Sequence, residues 1–241
     1  MELSHRQLRQ LVAETDELHR DGMRSFRRDH EEVIHDGERR RSAASRRRFL
    51  GTAGLGGLTV AIGPAMAPLG RLLTPAAAQQ PSDVDLARFA ASLEFAAVAA
   101  YEAAVGTGLL SQPVVEAGTT FAGHHREHGD AFAALVGETV PANQTVLDTF
   151  GPSIASAPDE AAIVEIAFGI ENAAASTYLF ALGVLAGQDA INAVASILPV
   201  ESQHAVVLGF VLGRDLSDTD LLPAFEPLDN ALSPDEFPAA S

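Results

Sequence analysis

The sequence predicts an all-α protein, an antiparallel four-helix bundle with one long crossover connection. Three observations carry that expectation. Beyond residue 78, apolar residues recur at helical spacing in four segments punctuated by Gly and Pro. No segment sustains the alternation of a strand, and much of the 47% hydrophobic content is Ala, which favours closely packed helices. Polar residues also recur at a nearly constant offset. Glu94 and Tyr101 reappear 77 positions later as Glu171 and Tyr178, and His125-x-x-His128 reappears 76 positions later as Glu201-x-x-His204. That offset suggests one helical hairpin used twice.

Ser82-x-x-Asp85 has the form of a capping box, and the first helix runs from there to the glycines of Gly106-Thr107-Gly108. Ala90, Glu94, Ala97, Tyr101 and Ala104 form one stripe on it, so Glu94 points where core residues point. Pro113 suits the first turn of a second helix that ends near Gly137. Its inward stripe is Phe121, His125, His128, Phe132 and Leu135, with His124 about 100° to the side. The stretch from Glu138 to Ala157 reads as the crossover loop.

Ser156-Ala157-Pro158-Asp159 opens the third helix with a cap, a Pro and an acid. Its stripe includes Ile163, Ala167, Ile170 or Glu171, Ala174, Tyr178, Ala181 and Leu185, and Gly187 ends it. Asp189 is placed to cap the fourth helix, where Val194, Ile197, Glu201, His204, Leu208 and Val211 alternate by three and four. Pro199 falls within that helix and is expected to kink or split it. An acidic tail follows Gly213, from which Leu221, Leu222, Phe225 and Phe237 can pack on the bundle.

The N-terminal region reads as an address. Ser45-Arg46-Arg47-Arg48-Phe49-Leu50 precedes a mild apolar run interrupted by glycines and prolines, then Ala76-Ala77-Ala78. Basic, apolar and small-residue regions in that order are the layout of a cleaved export signal, with cleavage expected after Ala78. Arg46, Arg47, Phe49 and Leu50 resemble the twin-arginine signal at each specified position. That resemblance implies the twin-arginine export machinery as a partner and a destination in the periplasm, the cell envelope or the medium. Contact with the membrane would come only through an uncleaved signal. Residues 1–44 are long for a leader, and Leu8, Leu11, Leu18 and Met23 are spaced loosely like a helix face. The expected organisation is therefore 1–78 leader, 79–215 bundle and 216–241 tail.

Composition excludes several classes. With no Cys in 241 residues there is no disulfide, thiolate metal site or cysteine nucleophile. Residues 1–78 hold 13 Arg against 10 acidic residues, and residues 79–241 hold 3 Arg against 22, a net charge of −19 with no Lys. Nucleic acid, which is gripped by clustered Lys and Arg, is not an expected partner.

The inward polar residues point to a cation. An ionised carboxylate on a core stripe is costly unless it is paired or ligates a metal. Glu94, Glu171 and Glu201 sit on three such stripes, and Arg88, Arg126 and Arg214 lie near helix ends or off the inward face. The four histidines after residue 78 all fall in the two x-x-His segments. Carboxylate with imidazole suits iron, manganese or zinc better than calcium or magnesium. Spacing of i, i+3 puts both members of a pair on one helix face.

Here the sequence resembles the ferritin-like di-metal carboxylate bundles, in which two helices each give a Glu and two give Glu-x-x-His. The resemblance implies that Glu94 and Glu171 take the single-Glu places, Glu201 and His204 keep the paired motif, and His128 takes the other histidine place. Tyr101 and Tyr178 look like outer partners that orient the ligands. His125 stands where the family has Glu, which removes a negative charge and a candidate bridging ligand. One or two ions are therefore expected, iron first, manganese or zinc as alternatives. The implied function is an oxidase or ferroxidase-type activity on ferrous iron, O2 or peroxide. The alternative is a non-catalytic envelope protein of stress or desiccation. A homo-oligomer is compatible with either.

Overall fold

The computed structural model describes residues 3–50, 82–214 and 231–240, with side chains left out for 29–50. The chain divides into two units, Met1–His30 with Ser82–Ser241, and Glu31–Pro81. In the second unit the backbone is helical as far as Leu50. The side chains of Arg46, Arg47, Phe49 and Leu50, and the expected cleavage point at Ala78, lie outside the described residues.

Six helices and no strand occur among the described residues: α1 His5–Leu50, α2 Asp83–Gly106, α3 Gln112–Val136, α4 Gln144–Ala155, α5 Glu160–Leu182 and α6 Gln188–Val211. Their ends follow the local chemistry. Ser82 and Asp85 close a reciprocal capping box at the start of α2. At Gly137 the α3 terminus turns through φ +81°, the left-handed conformation that glycine enters without a Cβ penalty. Asp159 caps α5 by accepting from the Ala162 N–H at 2.9 Å.

Two expectations are corrected here. The stretch from Glu138 to Ala157 is not all loop, because Asn143 accepts from the Val146 N–H and starts α4, whose Val146 and Ile154 are buried. Pro199 does not split α6, which runs unbroken past it. The lost backbone bond is outweighed by packing, since Ile197 and Val200 on either side are each 1% exposed. Smaller shifts occur at the α5–α6 turn. There α5 stops at Leu182, and Gly187 rather than Asp189 holds the N-cap position of α6. The Asp83 carboxylate accepts from the Ala186 and Gly187 N–H groups.

Packing pairs α2 with α3 and α5 with α6, and the pairs meet through α3 with α6 and α2 with α5. The first turns of α1 belong to this same unit. Leu8, Thr15, His19, Met23 and Phe26 form its buried stripe at helical spacing, while Leu18 is exposed. Leu8 joins a core cluster with Phe121, Val164 and Leu208, and Met23 and Phe26 join another with Phe132, Tyr178 and Ile197. A Cβ at Gly22 would lie 3.2 Å from the Ser196 carbonyl oxygen, so glycine lets α1 approach the α6 backbone closely. From the tail, the Leu232 N–H donates to Thr177 Oγ1, and Asn143 Nδ2 donates to the Phe237 carbonyl. Leu221, Leu222 and Phe225 lie outside the described residues.

Candidate metal centre

Between those two apolar clusters each helix carries its polar residues. On α3 the histidines fall between Phe121 and Phe132, on α6 Glu201 and His204 fall between Ile197 and Leu208, and on α2 Glu94 falls between Ala91 and Tyr101. All six candidate ligands are buried: Glu171, Glu201, His128 and His204 at 0%, His125 at 1% and Glu94 at 2% exposure. Their ligand atoms converge in two overlapping groups, each within 4.8 Å: Glu94, His125, His128 and Glu201, and His125, Glu171, Glu201 and His204. His125 and Glu201 belong to both.

His125 spans the two groups with its two nitrogens, Nδ1 lying 2.7 Å from Glu94 Oε2 and Nε2 3.0 Å from Glu171 Oε1. His128 Nδ1 lies 2.7 Å from Glu201 Oε1, and His204 Nδ1 lies 3.3 Å from Glu171 Oε2 and 3.4 Å from Glu201 Oε2. The tyrosines are bonded crosswise. Tyr101 on α2 donates to Glu171 on α5, and Tyr178 on α5 donates to Glu94 on α2.

Charge in this interior is compensated by imidazole. Burial alone would raise the Glu94 pKa, but neighbouring His128 and His125 outweigh it and hold the carboxyl at about 2. Burial likewise opposes Glu171, and His125 and His204 hold it well below the usual carboxylate range. The histidines answer in the other direction. Burial would lower His128, yet Glu94 and Glu201 push it up to about 9. Carboxylates overcome burial to raise His125 and His204 as well. The three arginines after residue 78 are engaged at the surface, Arg88 with Glu138, Arg126 with Glu102 and Arg214 with Glu165.

The donor set fits a metal ion. Although His128 Nδ1 and Glu201 Oε1 are close, their geometry does not make a hydrogen bond. His128 Nδ1 and both Glu201 oxygens are left as buried polar atoms without a hydrogen-bond partner. Glu201 oxygens with no hydrogen-bond donor of their own, facing an imidazole nitrogen, suit a divalent cation that takes imidazole and carboxylate together.

Three residues escaped the sequence reading of the centre. His19 of α1 is 1% exposed, with Nδ1 3.1 Å from His128 Nε2. His124, placed on the flank by its angle around α3, is 4% exposed because α1 covers it, and its Nδ1 lies 3.0 Å from His204 Nε2. Asp16 Oδ1 is 3.3 Å from His124 Nε2. The available signal was a histidine on the same helical line as Leu8, Met23 and Phe26.

The described helices of this unit gather three glutamates and three histidines in a core that could hold a metal ion through carboxylate and imidazole. A ferritin-like domain model matches residues 82–214, more than half of the chain, and the chain belongs to the ferritin-like domain family. No curated protein and no solved structure shows significant similarity to it.

Proposed function

We propose that this protein is an exported ferritin-like metalloprotein in which α2, α3, α5 and α6 form an antiparallel four-helix bundle around a two-ion site, with α4 in the crossover. The observation that carries the reading is the pair of overlapping His/Glu groups sharing His125 and Glu201. Glu94 and His128 would hold one ion and Glu171 and His204 the other, with Glu201 and His125 within reach of either. Iron is the first candidate, with manganese or zinc as alternatives. A bound redox-active pair would supply electron transfer between O2 or peroxide and ferrous iron or a small reductant. The chain's own part is positional and electrostatic. Tyr178 and Tyr101 orient Glu94 and Glu171, and the helices keep bulk water from the carboxylates.

A second reading, a non-catalytic envelope protein holding metal under stress, is favoured by how sealed the centre is. The cavity that touches Glu94 and His125 holds about 30 Å³, and the six candidate ligands are at most 2% exposed. Elemental analysis of the exported protein should find about two ions per chain, and Glu201→Ala should lose both. A metal-free protein whose melting is indifferent to chelator would end both readings. Iron-loaded protein that neither oxidises ferrous iron nor consumes peroxide would leave the second one standing.

A further inference from the structure

The two candidate ligands His128 and His204 each back onto another histidine, His19 of α1 for His128 and His124 of α3 for His204. His128 turns Nδ1 toward Glu201 and Glu94, and its Nε2 toward His19 Nδ1 at 3.1 Å. A ring offering a lone pair inward from Nδ1 carries its proton on Nε2, so His128 donates outward and His19 Nδ1 accepts. The His19 proton then sits on Nε2, 3.6 Å from Glu127 Oε2. His204 repeats the arrangement, turning Nδ1 inward and Nε2 toward His124 Nδ1 at 3.0 Å. His124 Nε2 in turn faces Asp16 Oδ1 at 3.3 Å.

The two arms are interlaced. α1 gives the histidine of one arm and the carboxylate of the other, and α3 does the converse. His19 and His124 stack face to face, with centroids 4.0 Å apart and planes 16° from parallel. Each arm ends on a partly exposed carboxylate, Asp16 at 27% and Glu127 at 50% side-chain exposure. Partners of this kind fix the tautomer and the ring plane of a ligating histidine.

We propose that α1 is a wall of the metal centre, with His19 positioning His128 for one ion and His124 with Asp16 positioning His204 for the other. This inference rests on the two-ion reading above, and its test separates the two. In the full-length chain, Zn2+ is titrated in competition with a chromophoric chelator, and apo melting is followed in parallel. Wild type should bind two ions. His19→Leu should weaken one of them about ten- to a hundredfold and leave the other near its wild-type affinity. His19→Asn, whose side-chain carbonyl can stand in for Nδ1 as acceptor, should recover most of the loss. Asp16→Ala, a change at a partly exposed position, should weaken the other ion. Glu94→Ala with His19→Leu should be non-additive, because both act on one ion. Fewer than two ions in wild type overturns the parent reading and this one with it. Two ions in wild type, with both weakened equally alongside a lower apo melting temperature, or neither weakened, overturns the role of α1 alone.

Discussion

Removing metal should give this protein an unusual stability profile against pH, and its size follows from one buried pair. His128 is pushed from 6.5 up to about 9 by Glu94 and Glu201 against the opposing effect of burial. A raised pKa in the folded state stabilises fully below pH 6.5, and that stabilisation is lost as pH climbs to about 9. At 1.36 kcal/mol per pKa unit the change is worth about 3 kcal/mol. Glu94, held down at about 2, gives the acid side, with stabilisation present above pH 4.5 and lost as pH falls toward 2. The two shifts describe one attraction from its two ends and are not summed. Apo protein should therefore melt on the order of 10 °C lower at pH 9 than at pH 6, for a domain of this size. Metal binding must expel the imidazolium protons, so affinity should rise over the same interval. Circular-dichroism melts at the two pH values, with and without chelator, measure both. Apo stability that is flat or rising from pH 6 to 9 refutes the charge state argued for this core.

Other perturbations separate packing from chemistry. Gly129→Ala would place a Cβ 2.7 Å from Phe95 Cε1, one residue from His128. Despite alanine's better helix propensity it should destabilise by about 1–3 kcal/mol in urea melts, and a neutral result would mean that Phe95 is free to move. Tyr178→Phe removes the donor to Glu94 while leaving the ring stacked on Phe132 at 5.7 Å. It should cost roughly 1.5–3 kcal/mol in the same assay, with Tyr101→Phe matching it through Glu171. Replacing both Arg46 and Arg47 by Lys should hold the protein in the cytoplasmic fraction, and undiminished export would remove the twin-arginine reading.

The candidate ligands were legible in the sequence because helical periodicity places carboxylates and imidazoles on core stripes where nothing cheaper explains them. Glu94, Glu171, Glu201, His125, His128 and His204 do converge. Spacing alone could not say which tyrosine serves which glutamate. Seven residues puts Tyr101 on the face of Glu94, but its hydroxyl reaches across to Glu171. The missed α4 has a mundane cause, since Pro141, Gly151 and Pro152 punctuate the stretch that Asn143 caps. His124 and His19 were missed for a deeper reason. Whether a flank residue is buried depends on what lies over it, and the covering helix came from a segment whose charge pattern suggested an address.

That arrangement has an outcome for the mature protein. Unit 1 draws its residues from both sides of 31–81, so a cut after Ala78 would sever Met1–His30 from Ser82–Ser241 along the chain. Processing would then convert α1 from part of the chain into a separate peptide. It would be held in place by Leu8, Met23, Phe26 and the two histidine contacts, as the fragments of a nicked protein hold together. How long the peptide stays would be a matter of dissociation kinetics, and the metal centre would keep its outer imidazole only for that time.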